Sequence, residues 1–266
     1  MISTRFTELT GCSVPVQQAP IGDLARTPAL PMAVARAGGH GMLAAVTASP
    51  AELEPVLAEL AAERAPLVDF HQGYPDASLV ELVHRGGGLA TWQVGTAAEA
   101  RAAEDAGCDV VVAQGIEAAG FTRGRAGMLA LLQEVLEAVS VPVLAGGGIG
   151  TARGVAAVLA AGAAGVRIGT RFIAAVEAGA DPRYLRALAA ARAEDTVLTD
   201  RFSPPGVPIE ARAIRTAAAA GDPFFAGEST GAVHRAQPAA EILGELADGA
   251  EQLLLEAARL TREPAA

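Results

Sequence analysis

The chain has 266 residues, of which 51% are hydrophobic, and a formal net charge of -10. This composition is too apolar for a disordered protein, and the negative charge argues against a nucleic-acid partner, because such a binder needs a basic surface to displace phosphate counterions. The sequence contains no lysine, which excludes both a Schiff-base lysine and a P-loop lysine.

The cysteines and the N-terminal residues bear on the cellular location that we expect for the protein. Cys12 and Cys108 are far apart in the sequence, which indicates buried free thiols and argues against a zinc site or a disulfide framework. The first twelve residues carry Arg5 and Glu8 and lack an apolar segment, and no uncharged apolar run long enough to span a membrane follows. We therefore expect a cytoplasmic protein without a membrane partner.

Short apolar runs alternate along the chain with Ala- and Leu-rich segments of helical period, a pattern typical of βαβ units around a parallel sheet. The predicted strands are Val14–Gln18, Gly41–Val46, Pro66–His71, Leu89–Val94, Asp109–Gln114, Val141–Ala145 and Gly165–Gly169. The predicted helices are Ala51–Glu63, Ala97–Ala106 and residues 126–139, 151–162 and 182–193. These elements predict an α/β protein, a TIM-type (β/α) barrel whose active face lies at the carboxyl ends of the strands.

The pattern departs from a regular barrel in two places. Seven predicted strands are one fewer than the usual eight, so we expect either a missing βα unit or a strand that the pattern does not reveal. Beyond residue 200 the alternation stops: three prolines indicate a loop, and two helical stretches near 209–220 and 238–262 follow. We expect residues 1–266 to form a single domain in which residues 200–266 are a C-terminal loop and helical extension.

Two glycine-rich turns follow the last two predicted strands. Residues 144–150 read Leu-Ala-Gly-Gly-Gly-Ile-Gly, and residues 166–170 read Val-Arg-Ile-Gly-Thr. Glycine lets the backbone approach an anion closely, and amides at the start of a helix favour phosphate. Either turn by itself also fits a tight βα connection that binds nothing. Together, at the position where barrels of this class bind phosphate, they favour a phosphate site.

Two further segments lie at strand ends. Ala19-Pro20 turns the chain sharply after the first strand and leaves the Ile21 amide at the barrel mouth; by itself this is only a turn. Gln114 ends a buried strand, where its amide needs polar partners. The edge of a bound heterocycle and the backbone of the neighbouring loop would each satisfy that amide, and the sequence does not choose between them.

Nitronate monooxygenases have the strings Q-A-P, A-Q-G-x-E-A, A-G-G-I and G-T-R-F in this order, and the chain has their counterparts in the same order, the third with one more glycine as A-G-G-G-I at residues 145–149. The chain resembles this family over nearly its whole length, and residues 195–199 and 226–231 are also similar to it. The resemblance implies an FMN enzyme that oxidises alkyl nitronates with O₂ to a carbonyl compound and nitrite. It implies that the phosphate is held by Gly147, Gly148, Gly169 and Thr170, and that the flavin ring is contacted by Gln114, Ala19, Pro20, Ile21, Ala119 and Gly120.

The chain departs from the family pattern at two points. Many members continue their second string as E-A-G-G-H, and that histidine acts beside the flavin as a base or charge stabiliser. Here residues 117–121 read Glu-Ala-Ala-Gly-Phe, and a phenyl ring cannot move a proton. Residues 66–75 resemble the family's fourth-strand motif but follow the second strand after one helix. The resemblance therefore implies that the third βα unit is deleted, together with an asparagine used on the flavin.

His71 and Asp69 are the candidate catalytic residues. His71 lies at the carboxyl end of a strand, where a neutral imidazole can act as a base, although packing or a backbone hydrogen bond is the alternative. Asp69 lies on the same face of that strand, where its carboxylate could raise the pKa of His71 or fix its tautomer. Glu117 is a further acid or base candidate, and the other three histidines are expected to be structural or on the surface.

Three classes of function remain open at this stage. The first is a flavin-dependent monooxygenase acting on a carbanion-like substrate, which the motifs favour. The second is a flavin-dependent NAD(P)H reductase similar to the enoyl-thioester reductases, and the third is a degenerate barrel that binds a phosphorylated ligand, or none, without the family chemistry. A homodimer is also expected, because an incomplete barrel exposes strand edges.

Overall fold

The structure is a computed structural model that describes residues 2–21, 28–42, 67–71, 73–204 and 209–260. The strands are β1 (Val16–Gln18), β2 (Leu67–Phe70), β3 (Leu89–Val94), β4 (Val110–Gln114), β5 (Gly120–Phe121), β6 (Val143–Gly146), β7 (Gly165–Ile168), β8 (Thr196–Thr199) and β9 (Ala211–Ile214). The helices are α1 (Arg5–Thr10), α2 (Ala29–Arg36), α3 (Ala77–Arg85), α4 (Ala97–Asp105), α5 (Met128–Ala138), α6 (Ala152–Ala160), α7 (Thr170–Ile173), α8 (Pro182–Ala190), α9 (Arg215–Ala220) and α10 (Ala239–Leu260).

In the part of the chain that the structure describes, six parallel strands form the main sheet in the order β1-β7-β6-β4-β3-β2. Helices α3 to α6 pack against its outer face, and α10 packs on α6 and α2. This is the predicted TIM-type arrangement. Each of the six strands of this sheet begins and ends within two residues of a predicted strand. Buried strands that carry apolar side chains on both faces are typical of such sheets.

The sheet continues beyond β1. Gln17 forms a parallel bridge with His40, immediately before the strand predicted at Gly41–Val46. Residues 43–46 of that strand lie outside the described residues, as does the helix predicted at Ala51–Glu63.

A second sheet corrects the prediction for the C-terminal region. Residues 209–220 are predicted to be helical, but β9 occupies the first half of the segment and only α9 is a helix. β9 pairs antiparallel with β8 and β5, and Ala211 and Ala213 are completely buried. This pairing with distant segments overrides the helix propensity of an Ala- and Arg-rich sequence. The helix predicted near 238–262 is confirmed as α10 over the described residues.

The interior of the barrel has an apolar lower part. Phe6 of α1 is completely buried and packs against Val110, Val112 and Leu144, whose side chains point inward from β4 and β6. The N-terminal helix therefore closes the end of the barrel that is opposite the carboxyl ends of the strands.

A polar layer lies above this apolar part. Arg167 of β7 donates two hydrogen bonds to the carboxylate of Asp69 on β2, at 2.8 and 2.7 Å. It also donates to Gln17 of β1 at 2.7 Å and to Gln93 of β3 at 3.0 Å. The side chains of Arg167 and Asp69 are only 4% and 5% exposed. A buried ion pair with this many hydrogen bonds joins four strands across the interior.

Two further findings concern membrane-spanning helices and the two cysteines. No helix among the residues that the structure describes is long and apolar enough to cross a bilayer. Cys12 and Cys108 are free thiols, as predicted, with Cys108 buried and Cys12 half-buried; burial raises the pKa of Cys108 to about 12, so this thiol is inert.

His40 makes the stability of this layer sensitive to acid. Burial, followed by the charge of Arg167, lowers the pKa of His40 to about 4, and its Nδ1 lies 3.3 Å from the Gln17 amide nitrogen. In the unfolded chain a histidine takes up a proton near pH 6.5, so unfolding becomes more favourable as the pH falls from about 6.5 to about 4. The expected loss of unfolding free energy from His40 over this interval is about 3 kcal/mol.

We predict that the variant His40→Gln loses less unfolding free energy than the wild type between about pH 6.5 and about pH 4. Urea unfolding at a series of pH values measures this difference. The exposed His234 provides the control, since His234→Gln should follow the wild type. Equal pH dependence in His40→Gln and the wild type would show that His40 is not held neutral by its surroundings.

Candidate functional site

A cavity of about 670 Å³ lies at the carboxyl ends of the parallel strands. Its volume is in the range of pockets that bind small molecules and cofactors. The structure brings all the predicted site residues together around this cavity: Ala19, Pro20, Ile21, Asp69, His71, Gln114, Ala119, Gly120, Gly147, Gly148, Gly169 and Thr170.

The first glycine turn follows β6 and depends on glycine at two positions. Gly147 and Gly148 have φ angles of +113° and +68°, which side chains other than hydrogen rarely tolerate. A Cβ atom at Gly147 would lie 3.0 Å from the carbonyl oxygen of Gly115. Among the described residues, the amides of Gly147 and Gly148 have no acceptor. The turn therefore offers backbone N–H donors at the cavity, as a bound anion requires.

The second turn follows β7 and begins α7. Gly169 occupies the position before the helix and has no side chain with which to cap it. Thr170 is buried, and its hydroxyl oxygen accepts a hydrogen bond from the Gly227 amide at 3.0 Å. Thr170 thus joins this turn to the segment between α9 and α10, while its hydroxyl hydrogen is free to donate to another acceptor.

The Gln114 side chain binds the backbone of the neighbouring loop. Its Nε2 donates to the carbonyl oxygen of Phe121 at 3.1 Å, and its Oε1 accepts from the amide of Arg123 at 2.8 Å. Of the two alternatives that the sequence allows, loop backbone is the one present in the structure. Each end of the amide keeps capacity for one more partner at the cavity.

The carboxylate of Glu117, an acid or base candidate from the sequence, binds the start of a helix. Both of its carboxylate oxygens accept from the Met128 amide, at 2.9 and 3.0 Å, at the start of α5. The residue before this helix, Gly127, supplies no side-chain cap. A carboxylate at this end of a helix satisfies a free amide and interacts favourably with the helix dipole.

Asp69 and His71 share the floor of the cavity but do not bind each other as proposed from the sequence. Asp69 binds Arg167, whereas the His71 Nδ1 lies 2.6 Å from the Gln93 Nε2. The pKa of His71 is lowered, mainly by burial; Asp69 acts to raise it, but Arg167 and Arg123 act to lower it. Asp69 therefore acts on this pKa in the expected direction, but burial outweighs it. Its carboxylate binds Arg167 and not the imidazole, so the hydrogen bond on Nδ1 of His71 comes from Gln93.

The motifs in the sequence do not predict Arg167 and Gln93, which line the cavity, or Gln17, which binds Arg167. A signal was available, since the alternation of side chains along a strand places Arg167 on the inner face of an otherwise apolar strand. A buried arginine needs an acid partner, and Asp69 is the acid on the inner face of β2.

Aromatic side chains form the wall of the cavity next to the second sheet. The rings of Tyr184 and Phe224 stack with centroids 4.5 Å apart, and Phe121 lies 6.0 Å from Phe225. The Tyr184 hydroxyl donates to the carbonyl oxygen of Phe225, and burial raises the pKa of that hydroxyl. The wall is thus apolar and keeps Tyr184 neutral.

Comparison with known proteins gives a consistent result. A family model described as nitronate monooxygenase matches residues 55–252. A nitronate monooxygenase of Pseudomonas aeruginosa is 32% identical over an alignment of 349 positions, which covers 93% of this chain and 99% of that protein. Because 93% of 266 residues is about 247, about 100 of the aligned positions have no counterpart in this chain. Other curated relatives are matched over 41% to 55% of their own length.

Two solved structures are similar over the whole chain. The structure of FabK from Thermotoga maritima superposes with a TM-score of 0.84 and 25% sequence identity, covering 98% of this chain and 100% of that one. A nitroalkane oxidase from Streptomyces ansochromogenes superposes with a TM-score of 0.77 and 28% identity, covering 96% of this chain and 99% of that one.

We predict that Glu117→Gln lowers the unfolding free energy by about 1 kcal/mol, because the variant removes the negative charge at the start of α5. Glu134, exposed on the same helix, allows the matched control Glu134→Gln, which should change stability by less than about 0.5 kcal/mol. Urea unfolding measures both. If the two variants are equally stable, the carboxylate of Glu117 does not stabilise this helix.

Proposed function

The chain belongs to the nitronate monooxygenase family of FMN-dependent oxidoreductases, and from this membership we propose that it oxidises small alkyl nitronates with O₂ to a carbonyl compound and nitrite. The observation that carries the proposal is the pair of glycine turns at the ends of β6 and β7, which bring backbone amides without an acceptor in the described part of the chain to a cavity of cofactor size. The reaction balances when two nitronates consume one O₂, because each substrate carbon gains one oxygen atom and releases nitrite.

The residues around the cavity fit FMN. We assign the phosphate to the amides of Gly147, Gly148, Gly169 and Thr170, which line the cavity at the ends of β6 and β7. The ring edge is assigned to Ala19, Pro20, Ile21, Gln114, Ala119 and Gly120. When bound, the flavin would accept electrons from the substrate carbon and pass them to O₂.

The chain's own residues favour a substrate that is already ionised. Phe121 lines the cavity at the position where many relatives have a catalytic histidine, and it cannot accept a proton. A nitronate has already lost its C–H proton, so this substrate needs no base. The aromatic wall of Tyr184, Phe224 and Phe225 limits access of water, which strengthens polar interactions inside the cavity.

A second function is supported by the structural similarity to FabK, which has the higher TM-score of the two structures described above. On this alternative the chain is a flavin-dependent NAD(P)H reductase. Incubation with NADPH under argon separates the two functions: rapid bleaching of the flavin would favour the reductase, and a flavin that stays oxidised until nitronate is added would favour the monooxygenase.

The variant Gly169→Asp tests the phosphate site. Asp is a favourable residue before a helix, and a Cβ here would have only an ordinary contact with Ala19, at 3.5 Å. We expect the variant to fold but to bind FMN about 100-fold more weakly, because its carboxylate would lie beside the phosphate. Gly169→Asn has the same shape without the charge and should lose only a few-fold. Equal FMN affinity in both variants, measured by flavin fluorescence, would place the phosphate elsewhere.

Restoring a histidine tests the substrate preference. We predict that Phe121→His increases kcat/KM for a neutral nitroalkane by about tenfold or more, because a positioned base assists removal of the C–H proton. Activity on the nitronate of the same compound should change little. Phe225→His, in the same aromatic group, is the control and should bring no gain. If wild-type turnover of nitroalkane and nitronate is already equal, the proposed preference is wrong.

A further inference from the structure

The hydrogen-bond chain on the cavity floor starts from Arg167, whose chemistry allows only one arrangement. A guanidinium donates hydrogen bonds and accepts none. The amide group of Gln93 that faces Arg167, at 3.0 Å, must therefore be the carbonyl oxygen. The oxygen and nitrogen of a glutamine amide are hard to tell apart by shape alone. The opposite orientation is excluded here because it would place the N–H groups of Gln93 against the N–H groups of Arg167.

The orientation of Gln93 in turn determines where His71 carries its proton. With its oxygen on Arg167, Gln93 presents its Nε2 to the His71 Nδ1, 2.6 Å away. An amide nitrogen only donates, so Nδ1 must be the acceptor and must lack a proton. The proton of the neutral imidazole is then on Nε2.

His71 has further reason to stay neutral. Burial, Arg167 and Arg123 all lower its pKa, against Asp69, which acts to raise it. Protonation would also place a hydrogen on Nδ1 opposite the Gln93 amide hydrogens and break their bond. Nε2 has no partner among the described residues, and His71 lines the cavity.

From this geometry we propose that His71 is a hydrogen-bond donor to the substrate, presenting Nε2–H to an anionic oxygen, and that Gln93 and Arg167 are positioning residues that fix this tautomer. The inference rests on the proposed function in taking a nitronate as the anion. It replaces the role of base that the sequence suggested for His71. His71 would be a neutral hydrogen-bond donor next to the Arg167–Asp69 ion pair, whose charges balance. Such a donor stabilises a negatively charged substrate oxygen, and a nitronate has no C–H proton left to remove.

The tautomer can be observed directly by NMR on the full chain labelled with nitrogen-15 histidine. The four histidines are assigned with the variant His71→Gln. We expect Nδ1 of His71 to resonate as an unprotonated nitrogen and Nε2 as a protonated one, unchanged between about pH 6 and about pH 8. A protonated Nδ1, or an imidazolium in this range, would overturn the proposal.

A matched pair of variants tests the positioning role. In Gln93→Glu a carboxylate replaces the donor, so the proton should move to Nδ1 of His71 and kcat for the nitronate should fall about tenfold or more. In Gln17→Glu the same charge is added on the other side of Arg167, where Gln17 binds the Arg167 Nε, and the His71 signals should be unchanged. Unchanged His71 signals in Gln93→Glu would contradict the relay.

Propionate, an unreactive carboxylate of similar shape to a small nitronate, tests the contact with the substrate. Its addition should shift the Nε2 proton signal of His71 in the wild type, and no shift would overturn the donor role. The measurements of the tautomer and of the propionate shift do not depend on turnover. The expected tautomer and propionate shift in a protein that does not oxidise nitronates would disprove the proposed function and leave the anion-donor role of His71 standing.

Discussion

The buried ion pair between Arg167 and Asp69 is the interaction on which the inside of this barrel depends. The two residues are on β7 and β2, which are separated by three strands in the sheet, and both side chains are almost fully buried. An unpaired charge in that position would cost several kcal/mol. The sheet must therefore curve far enough for the two strands to face each other, and the pair links the strands of a barrel that is shorter than its relatives.

The same guanidinium also determines the polarity of the site. Its remaining N–H groups bind Gln17 and Gln93, and Gln93 determines which nitrogen of His71 carries the proton. The charges of Arg167 and Asp69 on the floor of the cavity balance each other. Above it the glycine turns supply backbone donors, and the aromatic residues near Tyr184 supply an apolar wall. A donor-rich floor whose charges balance is a suitable place for an anion, and this agrees with the loss of the base at Phe121.

Much of the fold was predictable from the sequence, because local patterns are enough to show it. β4 is an apolar, β-branched run of the expected length, and the composition of the two glycine turns predicts a phosphate site. The residues predicted at the flavin ring came from the resemblance to the family, and they lie around the cavity. The parts that were missed depend on contacts between distant segments. β9 is a strand only because β8 and β5 pair with it, and Asp69 binds a residue 98 positions away in preference to its neighbour His71. Which strands pair and which side chains bind each other depends on the three-dimensional arrangement of the strands, and the spacing of residues in the sequence does not give it.

We propose above all that this shortened chain keeps the flavin phosphate site of its family. The visible absorption spectrum of the purified protein, recorded after FMN is added and the excess is removed by gel filtration, tests this claim. We expect flavin absorption to stay with the protein at close to one FMN per chain. Protein that is colourless after this treatment, although folded by circular dichroism, would contradict the claim and show that the barrel persists without the family's cofactor.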